Sequence, residues 1–311
     1  MVVLVTGANG QLGCEMRLRS VGSSDSYIFS DIAEISEDSR SMLAALSTSM
    51  VDTSTLHLDI TDINQVREMV RSHAVDVIVN CAAYTNVEAA EDNEALASKL
   101  NSTAPSILAK VMQEVDGNLI HISTDYVFGG HALSAPCKED TEVAPLGVYG
   151  RTKLEGEREI ARSGCPSIII RTAWLYSEFG KNFCLTIRRL SFEKESLNVV
   201  CDQRGTPTYA ADLATAIGSI ISERALDRTG IYHFSNEGEC TWYDFAKKIA
   251  QLSGNLSCKI MPCKSSEYPS KVQRPSYSVL DKTKYKTTFH KDISQWEDSL
   301  EKCIKNINAK Q

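Results

Sequence analysis

No stretch of this 311-residue chain is apolar for long enough to cross a bilayer, so no membrane-spanning helix is expected. There is no C-x-x-C pair either. The ten cysteines are scattered singly, Cys258 and Cys263 are the closest two, and no histidine stands near them at zinc-site spacing. They read as reduced core fillers of a cytoplasmic protein, and no metal site is predicted. Basic charge is in deficit: 33 Lys and Arg against 40 Asp and Glu leave a net charge of −7. That balance argues against a general affinity for nucleic acid or anionic membrane, and an anionic substrate would need a locally basic pocket. The chain has no internal repeat, no low-complexity tract and no obvious linker. No leader is expected, because the first strand begins at Val2 and runs directly into a glycine turn. What remains is an ordinary globule whose 42% hydrophobic content supports a sizeable core. Its length suits one large α/β domain, or a nucleotide-binding domain with a smaller companion.

Val2-Val3-Leu4-Val5-Thr6 is a continuous apolar run, as expected of a strand buried on both faces of a parallel sheet. Gly7-Ala8-Asn9-Gly10-Gln11-Leu12-Gly13 follows at once, and a helical stretch continues through Arg19. In this G-x-x-G-x-x-G spacing the early glycines allow a tight turn that brings backbone amides against a pyrophosphate. The last lets the helix pack close to the sheet. Tyr27–Asp31 reads as a second strand ending in a carboxylate 24 positions beyond Gly7. An acid there accepts hydrogen bonds from the adenosine ribose and disfavours a 2′-phosphate, which points to NADH more than NADPH unless Arg17, Arg19 or Arg40 offsets it. Residues 32–55 are polar and Ser/Thr-rich, and read as an inserted excursion or a small extra helix around Ser41–Leu46. Leu56–Ile60 gives a short strand placing Asp59 and Ile60 beside the adenine, and Thr61 or Asp62 caps the next helix. Val75–Val79 is the fourth strand. It ends in Asn80-Cys81-Ala82-Ala83, small residues that either pack or admit the cofactor's ribose and phosphate. A long helix is expected from about Asn93 to Val115.

Leu119–Ser123 is the fifth strand and delivers Thr124, Asp125 and Tyr126 to its carboxyl end, where open α/β sheets bind their ligands. A helix from about Val148 to Arg162 then carries Tyr149 and Lys153, four apart and so on one face. A free phenol titrates near pH ~10, and a fixed positive charge beside it favours the phenolate, bringing acid–base exchange within reach. Strand–helix alternation is regular to about residue 172. Beyond it the loops lengthen and the motifs become aromatic and basic, as in a smaller lid domain. The expected fold is therefore α/β, a Rossmann-type doubly wound parallel sheet over residues 1–172. A mainly substrate-binding domain follows over 173–311, with Gly230–Phe234 rejoining the sheet. Thr241 caps an amphipathic helix, and Trp296, Leu300 and Ile304 stripe a last one.

The chain resembles the extended short-chain dehydrogenases, and more narrowly the dTDP-4-dehydrorhamnose reductase family, over nearly its whole length. The resemblance rests on Gly7–Gly13, Asn80–Thr85, Ser123–Phe128, Tyr149–Lys153, Arg171–Tyr176, Gly180–Phe183, Asp202–Thr208 and Gly230–Phe245. It implies reduction by NADPH or NADH of the C4 ketone of dTDP-4-dehydro-6-deoxy-L-mannose to dTDP-L-rhamnose. By matched position it implies Thr124, Tyr149 and Lys153 as the catalytic trio. The cofactor would lie along Gly7, Asn9, Gly10, Gln11, Leu12, Gly13, Asp31, Asp59, Ile60, Ala82, Ala83 and Tyr84, with Tyr149 and Lys153. Thr124, Asp125, Trp174 and Asn182 would meet the sugar. Arg204, Arg274 and Lys181 are candidates for the diphosphate, or else ordinary surface ion-pair partners. Ala211 stands where some members carry a glutamate linked to metal-assisted dimer contacts, so a homodimer is allowed but its mode stays open. The rival readings are a sugar-nucleotide epimerase or dehydratase of the same superfamily and a non-catalytic nucleotide-binding regulatory subunit.

Overall fold

A computed structural model describes residues 1–130 and 135–309 of the chain. Seven parallel strands make the central sheet. They are β1 (Val2–Thr6), β2 (Ser26–Asp31), β3 (Leu56–His57), β4 (Val77–Asn80), β5 (Asn118–Thr124), β6 (Ser167–Thr172) and a late strand, Gly230–His233. The spatial order is Gly230–His233, β6, β5, β4, β1, β2, β3. Strand order therefore reverses between β1 and β4, the switch point at which such sheets open a crevice. Register aligns the chemistry-bearing ends: Thr6 lies opposite Asn80, Asn80 opposite His121, and Thr124 opposite Thr172.

Alternation along β1 explains why the run is apolar throughout. Val3 and Val5 face one core with the helix Ala210–Ser222. Leu4 faces the other, against α3 (Ile63–Ser72) and the helix Ala104–Gln113. A third core holds Tyr176, Phe245, Ile249, Trp296, Leu300 and Ile304. Its helix Trp242–Leu252 starts in a capping box made by Thr241 and Asp244. Helix α3 takes its cap from Asp62, which accepts from the amides of Asn64 and Gln65.

Two expectations are corrected. The strand read as Leu56–Ile60 stops at His57. The Leu58 amide still reaches the Asp31 carbonyl at 3.1 Å. The Asp59 carboxylate then closes a turn by accepting from the amide and hydroxyl of Thr61, at 2.9 and 2.6 Å. The long helix is likewise broken, into Glu94–Ser98, a π-turn at Lys99–Thr103, and Ala104–Gln113. Asn101 lies in the π-turn, fully buried. Its amide oxygen accepts from Tyr84 N–H at 2.8 Å, and its nitrogen donates to the Tyr84 carbonyl at 3.0 Å and to Thr152 Oγ1 at 3.2 Å. The extra residue in the turn lets this one side chain tie the β4 loop to the Tyr149 helix.

The 32–55 insertion also gains a role. It carries α2 (Glu37–Leu46), capped by Ser36; Met42 and Leu43 of the helix, with Ile35 just before it, pack on Cys14 and Phe179. Arg17, on α1 (Gln11–Ser20), is wholly buried. Its guanidinium donates to the carbonyls of Ala8, Asp52 and Ser54, to Asn9 Oδ1 and to Thr55 Oγ1. It is thereby spent on holding the insertion against the glycine turn.

Candidate active site

The carboxyl edge of the sheet opens into a cleft of about 770 Å³. Gly7, Gly10, Gln11, Leu12, Gly13, Asp31, Asp59, Ile60, Ala82 and Ala83 line one part. Thr124, Asp125, Tyr149, Lys153, Trp174, Asn182 and Arg274 line the other. The glycines are required by space. Gly7 has φ 64°, and a Cβ there would sit 2.6 Å from the Ala82 nitrogen; one on Gly13 would sit 2.4 Å from the Gly7 carbonyl oxygen. A turn with this closeness to α1, followed by a carboxylate at the end of β2, fits a dinucleotide.

Thr124, Tyr149 and Lys153, the trio that the resemblance implies, all line this cleft, but their electrostatics differ from those expected. Tyr149 is half-buried in the cleft wall, edge-on to Tyr126 with ring centroids 5.4 Å apart. Burial pushes its phenol well above the usual value, while a hydrogen bond with Thr124 pulls it down. The expected assistance from the Lys153 charge is not what sets it. Lys153 Nζ instead donates to the Ile122 carbonyl at 2.6 Å and lies 3.3 Å from His121 Nε2. Its own pKa falls to about 8 because it is buried, against an opposing pull from Glu157. The Thr124 hydroxyl donates to Asp125 Oδ1 at 3.1 Å and accepts from the Tyr126 amide at 3.2 Å. Asp125 is pushed up to about 6 by burial. The phenol is thus kept protonated, as a proton donor must be.

Four expected site residues are placed elsewhere or otherwise engaged. Asn9 is off the cleft lining: its side chain bonds the Ala33 carbonyl at 2.6 Å and accepts from Arg17, while its amide meets Asp31 at 3.1 Å. Tyr84 turns away to pack with Ala90, Ala97 and Val148. Arg204 lies outside the cleft and pairs with Glu239 at 2.8 Å. Asn182 borders the cleft, yet its oxygen caps the helix Phe183–Glu193 by accepting from Leu185 N–H at 3.0 Å. Its nitrogen donates to Gln11 Oε1 at 3.0 Å and to the carbonyls of Ser177 and Phe179. It locks the glycine turn to the later half of the chain.

Several residues without a sequence role stand at the site. Trp242 stacks on Trp174 with ring centroids 3.5 Å apart and planes 11° from parallel, and Trp174 itself is held at φ 48°. Beneath the cleft, Glu157 binds Arg171 through two bonds, at 2.9 and 2.7 Å, and accepts from Ser123. Asn80, His121 and Lys153 form a second buried row. The available signal was polar residues inside apolar strands, which burial obliges to find partners. Among the described residues no cluster of three or more His, Cys, Asp or Glu is placed to hold a metal ion, and no helix is long and apolar enough to cross a membrane. All ten cysteines are unpaired.

A doubly wound parallel sheet with a glycine cradle at its switch point and a Tyr/Lys helix beside it defines a Rossmann-type short-chain dehydrogenase/reductase. The model of the family described as RmlD substrate binding domain matches residues 1–309, and the chain belongs to that family. Among its relatives is a probable dTDP-4,6-dihydroxy-2-methyloxan-3-one 4-ketoreductase of Streptomyces antibioticus. It is 35% identical over 307 residues, covering 98% of this chain and 95% of its own length. A dTDP-4-dehydrorhamnose reductase from Clostridium acetobutylicum superposes with a TM-score of 0.86 at 35% identity, over 99% of this chain and all of its own. Another, from Bacillus anthracis in complex with NADP, gives 0.82 at 33% identity over 97% of this chain and 98% of its own.

Proposed function

We propose that this chain is an NAD(P)H-dependent reductase of the C4 ketone of dTDP-4-dehydro-6-deoxy-L-mannose, yielding dTDP-L-rhamnose. The observation that carries the reading is the convergence of Thr124, Tyr149 and Lys153 on the cleft beside the glycine cradle. The names of the relatives supply the sugar nucleotide.

The cofactor, when bound along Gly7–Gly13, Asp31, Asp59, Ile60, Ala82 and Ala83, supplies the hydride. Tyr149 donates its proton to the ketone oxygen, so that charge does not build fully on the alkoxide. Thr124 steadies that oxygen once substrate draws its proton away from Asp125, an interaction worth a few kcal/mol in comparable oxyanion sites. Lys153 is the group to hold the nicotinamide ribose. A second cavity of about 810 Å³ adjoins the cleft through Trp242 and Arg274, and is walled by Phe183, Leu190, Gln203 and Tyr268. It is the place for the thymidine. Arg274 at the junction, now paired with Glu88 at 3.3 Å, would turn to the diphosphate. The lobe boundary near residue 172, a homodimer and a cytoplasmic location belong to the same reading, the last supported by ten unpaired thiols.

The test is turnover of the thymidine-linked ketosugar with NADH and with NADPH, read as loss of the reduced cofactor. A reductase consumes it stoichiometrically, whereas an epimerase or dehydratase does not. Tyr149→Phe keeps the shape and removes the proton, and should lower turnover by ~100-fold or more; survival within about tenfold shows that Tyr149 is not the acid.

A further inference from the structure

The buried row beneath the cleft contains enough hydrogen-bond information to assign protons. Asn80 Oδ1 accepts from Thr6 Oγ1 at 2.8 Å and from the Ala82 amide at 3.2 Å. A backbone N–H can only donate, so the second bond fixes which end of the carboxamide is oxygen. The Asn80 nitrogen then faces His121 Nδ1 at 3.0 Å. Because that nitrogen is a donor, Nδ1 must be the bare nitrogen of the ring. His121 is fully buried in the middle of the sheet, where burial and Lys153 hold its pKa well below the usual histidine value. A neutral ring with Nδ1 bare carries its proton on Nε2, the atom 3.3 Å from Lys153 Nζ. Two donors cannot share a hydrogen bond, so this contact is favourable only when Lys153 offers a lone pair.

We propose that the Ala82–Asn80–His121 chain locks His121 in its Nε2–H tautomer, and that His121 thereby biases Lys153 toward the neutral amine. His121 is on this view a positioning residue that tunes the Tyr149–Lys153 pair from below, and the catalytic consequence rests on the reductase reading. The other charged groups facing Lys153 do not cancel the bias. Glu157 lies one turn on along the same helix and favours the ammonium, but Arg171 on β6 neutralises it at 2.7 Å and Ser123 on β5 donates to it. From β5 itself the remaining contact is the Ile122 carbonyl, which either form of Lys153 satisfies. Burial acts in the same direction, lowering Lys153 to about 8.

The experiment uses the whole chain. Long-range proton–nitrogen spectra of histidine-labelled protein read the tautomer, with His121 assigned by the signal lost in His121→Gln. Carbon spectra of lysine labelled at Cε read the titration of Lys153 directly, and kcat/KM against pH reads the pair in turnover. Expected are a neutral Nε2–H ring and, in His121→Phe, a Lys153 midpoint and basic limb raised by about one pH unit, the shift a hydrogen bond of ordinary strength produces. His121→Gln, whose amide can accept from Asn80 and donate to Lys153, should restore both. An Nδ1–H tautomer, an imidazolium, or a Lys153 midpoint unmoved by His121→Phe overturns the proposal. If the phenylalanine variant does not fold, a wild-type tautomer other than Nε2–H still overturns the proposal. A wild-type chain with the expected tautomer and titration that consumes no reduced cofactor supports the inference and removes the reductase reading alone.

Discussion

Asp125→Asn should make this protein more stable at neutral pH and slightly less stable in acid. The carboxyl is 2% exposed at the end of β5, and burial raises it from 3.8 to about 6 despite the hydrogen bond from Thr124. Between those values the folded chain holds a proton that the unfolded chain has lost, so stability falls as pH rises through the window. Above it the fold carries a buried carboxylate at a cost of about 3 kcal/mol, taking about 1.4 kcal/mol per pH unit. Asparagine keeps the shape and the acceptor but adds an N–H₂ group that needs a partner, a loss of about 1 kcal/mol. The net gain of about 2 kcal/mol corresponds to roughly 4 °C in Tm for a chain of this size. Calorimetry at about pH 8 and about pH 4 separates the terms, because only the charge penalty depends on pH. An equal Tm change at both pH values would show that packing, not the buried charge, controls the site. Turnover should fall even as stability rises, since Asp125 orients the Thr124 hydroxyl; this is the usual conflict at an active site.

Other perturbations test separate parts of the structure. Glu157→Gln leaves the Arg171 guanidinium, 3% exposed, without its counter-charge and should cost about 3–5 kcal/mol in urea unfolding. Gly13→Ala would place a Cβ 2.4 Å from the Gly7 carbonyl oxygen, and the turn should open. Dinucleotide binding, followed by fluorescence titration, should weaken by more than about 2 kcal/mol. Trp242→Leu removes the ring stacked on Trp174 at 3.5 Å. It should raise KM for the sugar nucleotide about tenfold with a smaller change in kcat, and abolish the paired-indole signal in near-ultraviolet circular dichroism.

The parts of the fold that were legible are those in which local pattern and tertiary role coincide. β1 is apolar from Val2 to Val5 because both faces are covered, and the glycines after it mark an unavoidable close approach. The Tyr149 helix and the capped helix at Thr241 could be read from spacing alone. Failures came where a side chain diverts the backbone. Asp59 ends β3 early by capping Thr61, and Asn101 draws a π-turn out of a helix whose periodicity looks continuous. Neither diversion is visible in hydrophobic periodicity, because one polar contact decides it. Asn182 shows the same limit from the other side. Its position in a family-like motif suggested a ligand contact, whereas all of its polar atoms are engaged in joining Gln11 to the loop before Phe183.

His121 shows why a proton inventory needs the strand order as well as the residues. In Leu119-Ile120-His121-Ile122 the histidine looks like a flaw in an apolar strand, and burial only says that it must have partners. Which partners depends on β4 lying beside β5 with Asn80 opposite His121, two positions 41 residues apart. It also depends on the Tyr149 helix crossing so that Lys153 reaches the same ring. The helix spacing correctly joined Tyr149 to Lys153 but supplied only a positive charge to act on the phenol. The fold adds neighbours for that charge. In the structure burial, not attraction to an ammonium, dominates the phenol, and burial also lowers the amine. For a reduction this order of effects is the useful one, because the tyrosine must reach the ketone with its proton still attached.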